Sequence, residues 1–178
     1  MYLIFDTETT GLPKKFNAPI SDTDNWPRMV QLAWQLHNDV GELIEAKDYI
    51  VRPDGFDIPY NAAKIHGITT ERAQKEGIAI SKVLAEFNAT LQKAKYAVGH
   101  NIGFDVNIVG SEFYREAQNS TLQTKIVLDT CTEQTATLCK LPGGRGGKFK
   151  LPTLTELYSH VFQEGFDEAH NAAFDVEA

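Results

Sequence analysis

Long apolar runs, paired cysteines and an excess of basic charge are all missing from this chain. Its apolar stretches are far too short for a membrane span or the core of a signal peptide, so the sequence predicts a cytoplasmic protein with no targeting segment. Cysteine occurs only as Cys131 and Cys139, eight residues apart. On a helix that separation is about 12 Å along the axis, beyond disulfide reach. Two free thiols fit a reducing compartment. Lys and Arg number 17 against 24 Asp and Glu, for a net charge of −7. This argues against global electrostatic attraction to nucleic acid or an anionic membrane. A local basic track stays possible, as does a metal site that brings its own positive charge. No internal repeat or linker divides the 178 residues. One domain with a real core is expected over residues 1–178.

What is present is punctuated α/β patterning. "YLIFDTET" reads as a buried strand ending in polar residues, stopped by Gly11 and Pro13. Residues 13–28 form a connection with three of the seven prolines, a length that is usually functional or disordered. "MVQLAWQLHN" and "ELIEAKDYIVRP" read as a hairpin turning at "NDVG". Two short helices follow in "PYNAAKIHGITTERAQKEG", with Gly67 ending the first and Thr69 or Thr70 capping the second. "SKVLAEFNATLQKA" has helical spacing, with Ser81 as its expected cap. Strands at "YAVGHN" and "KIVLDT" then alternate with helices at "IGFDVNIVGSEFYREA" and "TEQTATLCK". After a Gly-rich basic loop, Thr153 and Glu156 match a capping box, and "HNAAFDVEA" begins a last helix. The pattern predicts a mixed sheet, with an antiparallel hairpin and parallel strands, covered by helices.

Asp6 and Glu8 stand two apart at a strand end and so share one face. Ligands of open α/β sheets sit at the carboxyl ends of strands. Two carboxylates held there suit a hard divalent cation with oxygen ligands; taken alone they equally fit a pair of solvated turn residues. "AVGHNIGFD" repeats the pattern, with Asp105 in a first helical turn. "HNAAFD" places His170 five residues before Asp175, around another helix start.

Together and in this order, these segments resemble the three motifs of the DnaQ-like 3′→5′ exonucleases of the DEDD superfamily, which include the proofreading epsilon subunit of bacterial DNA polymerase III. Asp6 and Glu8 match the first motif, Asp105 the second and Asp175 the third. His170 marks the DEDDh branch; the sister branch would carry Tyr where Asn171 stands. "IHGIT" resembles a further family element. The resemblance implies an RNase H-like fold, two Mg²⁺ or Mn²⁺ ions and hydrolysis of nucleic acid from a 3′ end. It implies that Asp6, Glu8 and Asp175 bind one ion, that Asp6 bridges to the second, and that Asp105 reaches that second ion through water. His170 becomes the general base, a role its ordinary pKa suits. The backbone N–H groups of Thr9 and Thr10 would meet the terminal 3′-hydroxyl. Leu12 would wedge between the last bases, and His66, Asn101 and Phe104 would line the terminal nucleotide.

The expected activity is release of nucleoside monophosphates from single-stranded DNA, in proofreading or repair, with a DNA polymerase catalytic subunit as a possible partner. An exoribonuclease of the same fold is the enzymatic alternative, since no motif fixes the sugar. A non-catalytic nucleic-acid-binding or polymerase-docking module is the other; four acids and a His argue against it. Arg145, Lys148 and Lys150 are candidates to track phosphates, as are Lys14, Lys15 and Trp26. The chain stops three residues after Asp175, where family members continue the helix, so a truncated last helix is expected.

Overall fold

The computed structural model describes residues 1–165 and 171–178. Five strands form one sheet: β1 (Tyr2–Thr9), β2 (Met29–His37), β3 (Leu43–Ile50), β4 (Tyr96–Gly99) and β5 (Ile126–Asp129). Their spatial order is β3-β2-β1-β4-β5. The first three pair antiparallel, while β4 joins β1, and β5 joins β4, in parallel. The mixed sheet read from the sequence is therefore the sheet that forms. Its helices are α1 (Tyr60–His66), α2 (Thr70–Glu76), α3 (Ile80–Lys93), α4 (Gly103–Arg115), α5 (Glu133–Cys139), α6 (Leu154–Phe162) and α7 (Ala172–Glu177).

Alternation along β1 sorts its side chains onto two faces. Leu3 and Phe5 join Leu32, Trp34 and Phe87 in the main core, beneath α3 and α4. Trp34 and Phe5 each meet Phe87 edge-on, with centroids 5.4 and 5.2 Å apart. Ile4, Asp6 and Glu8 face the other way. There a small cluster of Ala33, Ala172 and Val176 docks α7 on the sheet. Small side chains let that helix lie close to the strands.

Between Glu8 and Thr9 the β1–β2 register slips by one residue. Val30 is the extra residue of this bulge, and it packs with Ile58, Ile68 and Ala73 under α1 and α2. A bulge bends a strand and re-aims its side chains; this one sits beside Glu8.

Helix ends follow local chemistry. Gly67 closes α1 at φ 73°, the left-handed conformation glycine adopts without penalty. Thr69 caps α2 by accepting the Arg72 N–H. Thr153 and Glu156 form the expected capping box on α6. Ser81 does not cap α3. The helix begins at Ile80, with Ala79 before it and no side-chain cap, because Val83 and Leu84 draw the chain into helical register from one residue earlier. Cys131 and Cys139 are both free. No helix among the described residues is long and apolar enough to cross a membrane.

The long connection 13–28 is folded into the body. Trp26 is 3% exposed and its Nε1 donates to the Pro19 carbonyl at 3.1 Å. Asn25 takes the Lys15 N–H at 2.7 Å and returns an amide proton to the Lys15 carbonyl. Trp26 is thus a core residue rather than a nucleic-acid contact: burial of its ring outweighs what an exposed platform would gain. Glu112, fully buried on α4, accepts from Arg28, Arg115 and the Met29 N–H, at 2.9–3.0 Å. Arg115 in turn donates to the carbonyls of Thr23 and Trp26.

Candidate active site

At the carboxyl end of β1 the chain gathers acids. Asp6 and Glu8 project onto the α7 face, and α7 brings Asp175 to meet them. Carboxylate oxygens of Asp6, Glu8 and Asp175 all lie within 4.8 Å of one another. Local sequence explains the arrival of Asp175. Asn171 caps α7 by accepting the Ala173 N–H at 3.1 Å, Ala172 and Val176 are buried against the sheet, and Asp175 lies between them on the adjoining face.

Asp105 enters from the opposite side, in the first turn of α4. Its carboxylate accepts from the Thr7 backbone N–H at 3.1 Å and the Thr7 hydroxyl at 2.6 Å. It stands outside the group of three, held against the face that Thr7 occupies, yet close enough to perturb it electrostatically. The four acids the sequence singles out thus arrive as a cluster of three and a tethered neighbour.

These groups resist ionisation together. Burial, then the charges of Asp105, Asp175 and Glu8, push the Asp6 carboxyl well above the usual carboxylate range. Burial, then Asp175 and Asp105, raise Glu8 to about 8. Asp105 is raised to about 7 by burial, with the Thr7 hydrogen bonds opposing and Asp129 adding to the rise. Among the described residues no Lys or Arg pairs with Asp6, Glu8 or Asp105. A cluster of hard oxygen donors short of positive charge suits a divalent cation of the Mg²⁺ or Mn²⁺ kind.

The expected nucleotide-contacting residues are placed as follows. Leu12 is 75% exposed, in the turn after β1. His66 is buried; its Nδ1 accepts the Ile68 N–H at 3.1 Å, and its Nε2 lies toward the Thr9 backbone without completing a hydrogen bond to the described residues. Burial holds His66 below its ordinary pKa, with the Thr9 backbone offsetting part of the effect. Phe104 is half-buried against the main core. Asn101 has φ 58° and donates its N–H to Asp129 Oδ1 at 2.8 Å. The Thr10 N–H is already given to the Arg28 carbonyl at 2.9 Å, so it holds no proton for a terminal hydroxyl. That part of the expectation is corrected by the β1–β2 pairing, which continues past the bulge. The Thr9 hydroxyl turns to the Gly11 carbonyl at 2.7 Å. His170 lies outside the described residues.

In the Gly-rich loop, Lys148 is paired with Glu133 and Lys150 with Glu156 at 2.6 Å. Arg145 has no ion pair among the described residues.

Sequence reasoning missed two residues that shape the site. Thr7 reads as the apolar-face partner in an alternating strand, yet it fixes Asp105. Asp129 accepts the Asn101 and Cys131 N–H groups and so ties β5 to the turn before α4. Its signal was available: "KIVLDT" ends a strand with an acid, as "YLIFDTET" does. His100 adds a second tie, from Nε2 to the Pro152 carbonyl at 3.0 Å and from Nδ1 to the Thr130 hydroxyl at 2.9 Å.

Comparison with known proteins agrees with this geometry. A search of curated protein sequences finds no match. Among solved structures, E. coli exonuclease I in complex with a dT13 oligonucleotide is similar over 99% of this chain, at 21% identity and TM-score 0.76. The zinc-ion-bound form of an E. coli exonuclease I–single-stranded DNA complex gives 22% and 0.75, and an ExoI/SSB-Ct complex gives 18% and 0.71, again over 99% of this chain. This chain covers only 38–39% of those chains. At such identities the likeness is one of fold, the RNase H-like exonuclease fold. The RNase_T family, described as exonuclease, matches residues 3–178, and with its ordered acids and mixed sheet the chain belongs to that DnaQ-like exonuclease family.

Proposed function

We propose that this domain is a 3′→5′ exonuclease that releases nucleoside monophosphates from single-stranded DNA ends, acting in the cytoplasm in proofreading or repair, alone or beside a DNA polymerase catalytic subunit. The observation that carries the reading is the convergence of Asp6, Glu8 and Asp175 within 4.8 Å at a strand end, with Asp105 tethered alongside. A pure binding module gains nothing from a cluster that costs stability. Structural neighbours in complex with dT13 and single-stranded DNA favour DNA over RNA.

Asp6, Glu8 and Asp175 would hold one divalent cation, with Asp6 shared toward a second near Asp105. Bound there, two Mg²⁺ or Mn²⁺ ions would supply charge neutralisation at the scissile phosphate and lower the pKa of the attacking water. The chain's own residues do the rest. Thr7 keeps the Asp105 carboxylate aimed by two hydrogen bonds. His66, neutral and with Nδ1 engaged as an acceptor, offers its Nε2 proton to the terminal nucleotide. Phe104 and the exposed Leu12 supply apolar faces, and stacking on a ring is worth about 1–3 kcal/mol per base without sequence preference. His170 takes the proton of the attacking water, and the leaving 3′-oxygen is protonated from solvent.

The test uses 5′-labelled single-stranded DNA and RNA, with and without Mg²⁺ or Mn²⁺, and Asp6→Asn as control. A metal-dependent ladder shortening from the 3′ end of DNA, lost in the variant, is expected. Cleavage that survives Asp6→Asn, or cleavage of RNA alone, overturns the reading.

A further inference from the structure

Gln31 is a polar residue in a strand that otherwise reads Met-Val-x-Leu-Ala-Trp, and it is 3% exposed. It sits directly opposite Glu8 in the β1–β2 register, so the two side chains leave the sheet on the same face. Its Nε2 donates to Asp48 Oδ1 of β3 at 2.8 Å and to Asn171 Oδ1 at 3.3 Å. Both partners are acceptors, so the amide nitrogen faces them. Its Oε1 is buried without a partner among the described residues. Leaving an acceptor so costs stability, and an apolar side chain of equal size would avoid that. Packing alone does not account for a glutamine here.

The Asn171 contact gives the reason. Asn171 is the cap of α7, and the same Oδ1 takes the Ala173 N–H. α7 (Ala172–Glu177) starts directly from that cap. Its apolar seat on Ala33 and Ile4 resists lifting but not sliding or rolling, because apolar contact has no direction. A slip of one residue would turn Asp175 by about 100° and carry it away from Asp6 and Glu8. The Gln31 amide is a directional tie on this face between the cap of α7 and the strand opposite Glu8, and Asp48 holds that amide in place.

We infer that Gln31 is a positioning residue of the acidic site: through the Asn171 cap it sets the register of α7 and hence the place of Asp175. The inference rests on the functional reading only for what Asp175 does, not for where it stands.

The test compares Gln31→Met, which keeps the volume and removes the donor, with Asn171→Ser, which keeps a capping oxygen but is too short to reach Gln31. Three readouts are taken on each and on the double variant. Amide hydrogen exchange at Asp175 and Ala178 reports docking of α7 with no metal present. Mn²⁺ binding is followed by electron paramagnetic resonance. Finally, kcat and KM are measured on a labelled oligonucleotide. Each single variant is expected to lose α7 protection, weaken Mn²⁺ binding about 10-fold, the lower end for residues that orient metal ligands, and lower kcat with KM unchanged. The double variant is expected to be no worse than either single one. Wild-type protection and Mn²⁺ affinity in Asn171→Ser overturn the inference, as do additive losses in the double variant. If Gln31→Met fails to fold, Asn171→Ser alone decides. A wild-type protein that binds no Mn²⁺ and cuts nothing, yet loses α7 protection in both variants, would sink the proposed function and leave the positioning role intact.

Discussion

Replacing Glu8 by Gln should stabilise the metal-free protein while destroying its activity. Glu8 moves from an ordinary 4.5 to about 8 in the folded chain, whereas the unfolded chain releases its proton near the ordinary value. Between these pH values the folded state binds more protons than the unfolded one, so stability falls as pH rises from about 4.5 to about 8 and then levels. Taken whole, the displacement corresponds to about 5 kcal/mol at about 1.4 kcal/mol per tenfold. Glu8 is only partly buried, and screening and relaxation bring the expected effect to about 2 kcal/mol. Urea unfolding of wild type and Glu8→Gln in EDTA, from pH 5 to pH 9, measures it. The two proteins should be nearly equal at pH 5, and the variant about 2 kcal/mol more stable at pH 9. Mn²⁺ at 100 times its dissociation constant should return about 2.7 kcal/mol to the wild type and less to the variant. Parallel pH curves for the two proteins, or a wild type that gains stability with pH in EDTA, would refute the account of a charge-starved cluster.

Three further outcomes follow from the structure. Thr7→Val removes a buried hydroxyl bond to Asp105 and should cost about 1–2 kcal/mol; because both Thr7 bonds favour the ionised carboxylate, the loss should be larger at pH 8 than at pH 5 in urea melts. Glu112→Ala removes the buried carboxylate that joins the partly exposed Arg28 and Arg115 and should cost about 2–3 kcal/mol, with limited proteolysis appearing first within residues 13–28; an intact loop in a folded variant would contradict the anchoring role. Arg145→Glu should raise KM for a single-stranded oligonucleotide several-fold at low salt and leave kcat alone, an effect that vanishes at high salt; equal KM values at low salt would remove the Gly-rich loop from the binding surface.

Much of the architecture was legible because it depends on short-range pattern. Alternation in "YLIFDTET" places Asp6 and Glu8 on one face whatever the rest of the fold does. The turn at "NDVG" makes the hairpin, Gly67 ends α1, and Thr153 with Glu156 starts α6, each through bonds spanning four residues or fewer. The error at Ser81 is of the same local kind: a good capping residue lost to the apolar register beginning one residue earlier. The connection 13–28 read as functional or disordered and is anchored, and the sequence did not show this because its anchors, Glu112 and Arg115, lie more than eighty residues away.

The sequence by itself singled out four acids and the elements they ride on, since carboxylate spacing on a strand and at helix starts is fixed by backbone geometry. Only the tertiary structure decided how they meet. It set Asp175 beside Asp6 and Glu8 through a six-residue helix seated on Ala33. It turned Asp105 toward Thr7, spent the Thr10 N–H on Arg28, and put Gln31 between Asp48 and the Asn171 cap. These are hydrogen bonds and charge repulsions between residues 17 to 169 positions apart, and no local pattern encodes them. They exist only once the sheet has closed and water has been driven from its faces.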